Sequence, residues 1–250
     1  MKRLQIAVFG CWFLSTGLFG QSELNTDRPG QSINSLTTPK KSILVQSGYS
    51  YLNESNLPLA ASDEMDFHAA DLQVRYGILA WLEASIGTAF DIDNGSDEYS
   101  GFTALIFSAR GRLLSNDYLS LGLEGSYLRE GMAVGDLDFE EGRFILAASS
   151  SWSERFSTTS NVIYRTDNQL AFTLNQGFAF SKEGGIFVEY FPNYDTRDGL
   201  AFDEAFLNLG GFFLINQTFQ FDLTGGVKIF GADSDIFYFQ AGISKVFDLH

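Results

Sequence analysis

From Ser42 onward, apolar and polar residues alternate with a period of two, in segments of about ten residues separated by turn-forming residues. Successive side chains on a strand point to opposite faces, so this pattern specifies sheets with one apolar and one polar face and leaves no room for helices. The hairpin over 70–90 is the plainest. Ala70, Leu72, Val74 and Tyr76 alternate with Asp71, Gln73, Arg75 and Gly77; after a turn at Leu79-Ala80-Trp81, Leu82, Ala84, Ile86 and Phe90 alternate with Glu83, Ser85, Gly87 and Ala89. Such segments fall at 42–52, 66–77, 82–91, 101–113, 118–129, 143–152, 156–166, 169–180, 186–194, 205–214, 218–230 and 235–247. About twelve strands, an even number, predict an all-β fold: an antiparallel transmembrane β-barrel.

A soluble barrel alternates too, but it turns its apolar face inward. Here the polar face is built of Gly, Ser and Ala with sparse charges of both signs, which suits a crowded lumen better than a solvated surface. Aromatic residues gather near the strand ends, as membrane interfaces require: Tyr76, Trp81, Tyr118 and Trp152 on one rim, Phe90, Tyr127 and Tyr164 toward the other. Alternate connections are short, as at Leu79–Trp81 and Ile215–Gln217, whereas most of the rest are longer and acidic. Short periplasmic turns and longer, acidic extracellular loops are expected of an outer-membrane barrel.

Residues 1–20 carry Lys2 and Arg3, then an apolar stretch, then Gly20 before the polar Gln21, which is the layout of a secretory signal peptide. Expected units are therefore the signal peptide over 1–20, a periplasmic N-terminal segment over 21–41, and the barrel over 42–247. The chain has 31 acidic and 16 basic residues, a net charge of -15. Loss of two bases with the signal peptide leaves 14 against 31, or -17. So acidic a chain has no electrostatic reason to bind nucleic acid. With one Cys and two His there is no basis for a zinc finger or a disulfide framework, and no cofactor is expected.

The inward parity places Asp71, Arg75, Glu83, Arg110, Arg112, Glu124, Arg143, Arg165, Glu189, Asp222 and Lys228 on the lumen face. They form either a constriction that selects solutes or a set of cross-strand pairs that fills the interior; the near balance of signs favours pairing. Thr26-Asp27-Arg28-Pro29 precedes the first strand. It reads either as a small plug whose Asp27 and Arg28 pair with lumen charges, or as an extended leader. Asp91, Asp93 and Asp97 space oxygen ligands alternately, but Gly95 stands where a calcium loop needs a ligand, and Asn94-Gly95 is more simply a hairpin turn. No metal site is expected. His68 lies on the outward face without a serine two positions on, so no hydrolytic constellation forms, and the chain is not expected to be an enzyme.

Thr26-Asp27-Arg28-Pro29, Thr38-Pro39-Lys40 and Gly48-Tyr49-Ser50-Tyr51, followed in order by Val74-Arg75-Tyr76-Gly77 with Leu82-Glu83, Val188-Glu189-Tyr190, Phe221-Asp222-Leu223 and Ala241-Gly242-Ile243, resemble an outer-membrane barrel family. It is the family labelled for the meta-cleavage pathway of phenol degradation and loosely called transporters. The resemblance spans nearly all of the chain after residue 20 and implies a barrel of this strand number that passes small, often hydrophobic or aromatic, compounds. The chain departs from such barrels at its end, where Asp248, Leu249 and His250 follow the aromatic Phe247. The expected partners are outer-membrane lipid and lipopolysaccharide, the outer-membrane assembly machinery and a small-molecule solute. The alternative is a closed barrel with a structural or surface-binding role.

Overall fold

The computed structural model describes residues 24, 26–28, 30–55, 65–91, 101–130, 140–197, 199–231 and 235–249. The expected signal peptide, Pro29, and Asp93 and Asp97 lie outside these residues, as does much of the acid expected on the longer connections. Twelve strands close into one barrel: β1 (Ser42–Ser55), β2 (Met65–Leu79), β3 (Leu82–Asp91), β4 (Gly101–Ser115), β5 (Leu119–Glu130), β6 (Glu140–Ser151), β7 (Phe156–Arg165), β8 (Gln169–Ala179), β9 (Gly184–Asp195), β10 (Ala201–Asn216), β11 (Phe219–Phe230) and β12 (Asp235–Asp248). Each pairs antiparallel with its chain neighbours, and β1 closes on β12 from Ser42 opposite Asp248 to Ser55 opposite Asp235. Closure leaves no unpaired sheet edge.

Strand number and order match the expectation, while several strands extend beyond the alternating segment; β10 begins at Ala201, not 205. The added residues cross register shifts at Phe202/Glu204 and Ala205/Phe206, where the two-residue period breaks and sequence pattern loses its signal. The turns after β2, β4, β6, β8 and β10 are short and share a rim with both barrel ends of the chain. On the opposite rim β7 and β8 are joined by Thr166–Asn168 alone, with Asn168 at φ 70°. That connection is short, as the expected spans 156–166 and 169–180 require, and is an exception among the longer ones of its rim. A further irregularity lies in β8–β9. Pairing runs through Ala171 opposite Asn193 and resumes at Leu174 opposite Tyr190, without the two pairs between them.

The wall is built inside out relative to a water-soluble domain. Leu72, Ile86, Phe107, Leu123, Leu209 and Phe221 are exposed on the outer face, whereas Arg75, Glu83, Arg110, Glu189 and Asp222 are buried within. A belt of this kind far exceeds the apolar patch a soluble monomer tolerates and matches the lipid-facing band of a membrane barrel. The interior is not uniformly polar, however, as the alternation had implied. Ile145, Ile163, Ala171 and Phe191 form a buried apolar cluster on β6–β9, joined by Ile33 and Phe206. Its members obey the inward parity, but their strands carry apolar residues on both faces there, so the alternation that marks the other strands is absent.

Candidate functional site: a segment held inside the lumen

From Leu24 to Lys41 the described residues run inside the barrel and follow its wall before β1. Leu24 packs against Leu44 and Val246. Thr26 Oγ1 is 3.2 Å from Ser244 Oγ, and the Arg28 guanidinium reaches Asp71 at 3.0 Å and Asp222 at 3.3 Å. The chain then meets Glu189 on β9, Thr173 on β8 and Asn161 on β7. It passes Ser120 on β5 and Glu83 on β3, and ends in a parallel bridge from Lys40 to Gly77 on β2. Of the two readings of Thr26-Asp27-Arg28-Pro29, the described residues take up the inserted one.

Glycine makes the close approach possible. A Cβ on Gly77 would stand 1.9 Å from Pro39 O, and one on Gly122 would stand 2.6 Å from Ser35 O, both backbone atoms that cannot swing away. A Cβ on Gly48 or Gly242 would overlap the Arg28 guanidinium, each at 2.3 Å. At Gly30 the chain turns with φ +102°, a conformation that L side chains rarely adopt.

Two charge clusters hold one side of the segment. In the larger, Asp27 Oδ2 accepts from Arg75 at 3.0 Å and from Arg110 at 2.6 Å. Arg75 also pairs with Glu83 at 2.9 Å, and Arg110 with Glu124 at 2.5 Å and Glu83 at 3.6 Å, so Arg75 serves two carboxylates and Arg110 three. Burial works to raise the Asp27 carboxyl, but the adjacent Arg110 and Arg75 charges and hydrogen bonds from Arg110 and the Asn34 amide outweigh it and hold the carboxyl below its ordinary value of 3.8. The smaller cluster is Arg28 with Asp71 and Asp222. Paired charges of this kind offset their desolvation only while every member is present.

Glu189 holds the other side without an ion pair among the described residues. Its carboxylate accepts from the Gln31 and Ser32 amides at 2.8 Å each, from Ser32 Oγ at 2.5 Å and from Asn208 Nδ2 at 2.8 Å. The turn at Gly30 aims two successive N–H groups at one oxyanion, a backbone nest for a carboxylate. Asn161 completes this side, accepting from the Ile33 amide at 2.7 Å and donating to the Ile33 carbonyl at 3.1 Å.

Of the sequence-derived lumen residues, Asp71, Arg75, Glu83, Arg110, Glu124, Glu189 and Asp222 are thus gathered around the segment. The others stand apart from it. Arg165 lies 3.7 Å from Glu141, Lys228 lies 3.6 Å from Glu204, Arg143 donates to Ser126 at 3.2 Å, and Arg112 makes no ion pair among the described residues. Sequence reasoning missed Asn161, Thr173 and Asn208, which are neutral and so carried no charge signal; an inward-facing amide on a strand of this parity is what could have exposed them. Beside the segment, between Asp27, Ser32 and Asn34 and the wall at Thr159, Phe187 and Gln220, lies a cavity of about 320 Å³. Among the described residues no group of three or more His, Cys, Asp or Glu side chains is placed to hold a metal ion.

No protein-family model matches the chain, and no curated protein matches it. Solved structures do. An outer-membrane channel from Pseudomonas putida F1 is similar with a TM-score of 0.64 at 11% identity, over 88% of this chain and 99% of that one. The KdgM porin, solved with disordered oligogalacturonate, gives 0.56 at 10% identity over 82% and 99%, and the CymD monoaromatic hydrocarbon channel gives 0.51 at 8% identity over 84% and 90%. The chain therefore has the fold of outer-membrane channel barrels.

Proposed function

We propose that this chain is an outer-membrane channel that passes small molecules without covalent chemistry, and that the inserted segment sets the width of the path. One observation carries the reading: a closed barrel with an apolar exterior has an interior occupied by a segment of its own chain, beside which a cavity of about 320 Å³ remains. A wall of this composition suits lipid and lipopolysaccharide outside, solute inside, and insertion by the outer-membrane assembly machinery after export through the N-terminal signal peptide of a Gram-negative cell. The proposed solutes include hydrophobic and aromatic compounds, in line with the resemblance to the phenol-pathway family and with the monoaromatic channel of the same fold. The excess of acid favours cations and neutral solutes over anions at low ionic strength.

A second reading is favoured by the same segment. Buried ion pairs and a carboxylate nest tie it to opposite walls, as a permanently closed structural barrel would require. Purified protein in planar bilayers and in swelling liposomes separates the two. The channel reading expects discrete conductance and uptake of aromatic solutes; a barrel impermeable to both ions and aromatic solutes overturns it in favour of the closed one.

A further inference from the structure

We infer that the cavity beside the inserted segment is a binding site, on the periplasmic side of the constriction, for uncharged solutes rich in hydroxyl groups, of which a sugar ring is the type. Passage of such a solute through the barrel rests on the channel reading; its binding does not. The walls of the cavity fix its position. It is bounded by Ser32 and Asn34 of the segment and reaches Ser153, Glu154 and Arg155, the short turn between β6 and β7 on the rim that holds both barrel ends of the chain. A solute from the periplasm meets the cavity first, and one from the opposite side meets it only after passing the segment.

The charges around the cavity are balanced, and the inner ones are already used. Asp27 and Arg28 line its depth, and Glu154 and Arg155 stand exposed at its mouth, two of each sign. Asp27 is held by Arg75 and Arg110, and Arg28 by Asp71 and Asp222, so an ionic solute would lose its hydration here without gaining a counter-charge. What the wall still offers is neutral. Asn34 gives its side-chain oxygen to the Leu36 amide at 2.9 Å and keeps its NH2, while Gln220, only 3% exposed, donates to the Arg28 carbonyl at 3.2 Å and keeps its oxygen. Ser157, Thr159 and Asn175 add two hydroxyls and an amide from β7 and β8. A wholly apolar solute would cover these groups without satisfying them.

An aromatic platform completes the site. Phe187 on β9 and Phe212 on β10 line the cavity, and each stands directly opposite a glycine of the other strand, Phe187 opposite Gly210 and Phe212 opposite Gly185. A Cβ on either glycine would collide with the facing ring, so each ring lies over the bare backbone of its neighbour. A ring laid over a glycine turns its other face to the lumen. Phe187 is buried and is met by the segment at Gly30, which leaves the half-buried Phe212 as the open platform. An aromatic face to pack on the C–H side of a sugar ring, with amides and hydroxyls around it to bond its O–H groups, is a neutral recognition set.

The experiment uses the purified protein with D-glucose as the probe, by calorimetry in detergent and by single-channel recording in planar bilayers. Calorimetry is expected to show glucose binding, with D-glucuronate, a sugar ring that carries a carboxylate, bound about tenfold more weakly. Phe212→Leu and Asn175→Leu are each expected to weaken glucose binding about fivefold, with folding read from the heat-dependent gel shift. In the bilayer, Ser153→Cys modified from one chamber by a membrane-impermeant thiol reagent marks the periplasmic side, and glucose added there is expected to interrupt the current more often than glucose added opposite. Absence of glucose binding, equal binding of glucuronate, or unchanged binding in both folded variants overturns the site, while the channel survives through its conductance. Equal interruption from both chambers overturns its placement on the periplasmic side. Glucose binding to a barrel without conductance overturns the channel reading and leaves the site standing.

Discussion

The inserted segment is held by two sides of the lumen that use different physics. On β2–β4 the contact is ionic: Asp27 sits between Arg75 and Arg110, which also pair with Glu83 and Glu124. On β7–β10 it is made by backbone amides, side-chain amides and hydroxyls converging on Glu189 and Asn161. The ionic side gains its strength from charge, so removing one member leaves the others buried and unpaired. The neutral side gains its strength from geometry, because two consecutive N–H groups must point at one carboxylate. Removal of a charge and displacement of the backbone should therefore affect the two sides unequally.

The largest effect is expected from Arg110→Ala. It strands Glu124 in the interior and leaves Asp27 with Arg75 alone, and loss of one partner of a buried pair costs about 3–5 kcal/mol. Denaturant unfolding in detergent should show a loss of that order, with protease access to residues 24–41. Replacing Glu124 and Arg110 together by Gln and Met should cost less than Arg110→Ala alone, because Glu124 is then no longer a buried carboxylate facing a missing guanidinium, while Asp27 keeps Arg75.

Gly122→Ala and Gly77→Ala come next. Each pushes a methyl group against backbone of the segment, so the displacement, not the methyl, sets the cost; overpacking of this kind costs about 1–3 kcal/mol. Protease access to the segment should rise in both, while Gly199→Ala, which has no atom within 4 Å to meet, should leave access unchanged and show only the smaller cost of its φ of +116°. Glu189→Gln should cost about as much. The amide keeps an acceptor for only one of the Gln31 and Ser32 N–H groups, which bond different carboxylate oxygens, and turns an NH2 toward the other, about 1.5–3 kcal/mol for a bond to a charged group. If Glu189→Gln proved costlier than Arg110→Ala, the contrast between the two sides would be reversed.

The smallest effect concerns pH. The Asp27 carboxyl is depressed below 3.8 in the folded barrel, so its contribution is fully present above that value and disappears as pH falls through the lower, folded-state value. The stability difference between wild type and Asp27→Asn should be flat from neutral pH down to about 4 and shrink only below. A difference that narrowed between pH 7 and 5 would mean that Asp27 does not sit between two arginines.

The barrel was legible in the sequence because strand parity is a local, repeated signal. Arg75, Glu83, Arg110 and Glu124 all obey it, and their near balance of sign already pointed to cross-strand pairing. The inserted segment was legible only as one of two alternatives. Asp27 and Arg28 reveal charge but not their partners, which lie on strands up to 194 residues away, as for Arg28 and Asp222. The neutral side escaped notice because Asn161, Thr173 and Asn208 look like ordinary strand residues until a backbone is laid against them. Gly77 reads as a small residue of the polar face; that it, Gly48, Gly122 and Gly242 mark the track of the segment follows from the distances alone. The calcium reading of Asp91, Asp93 and Asp97 falls largely outside the described residues.

The central claim is that the segment, and not the barrel wall, sets the width of the path. Single-channel recording on the full chain and on the Asp27→Ala, Arg28→Ala double variant in the same lipid tests it most directly. The variant should fold, by its heat-dependent gel shift, and show a larger conductance with more frequent transitions between levels, because both charge clusters lose their hold on the segment. An identical conductance in the two proteins, with the variant correctly folded, would contradict it.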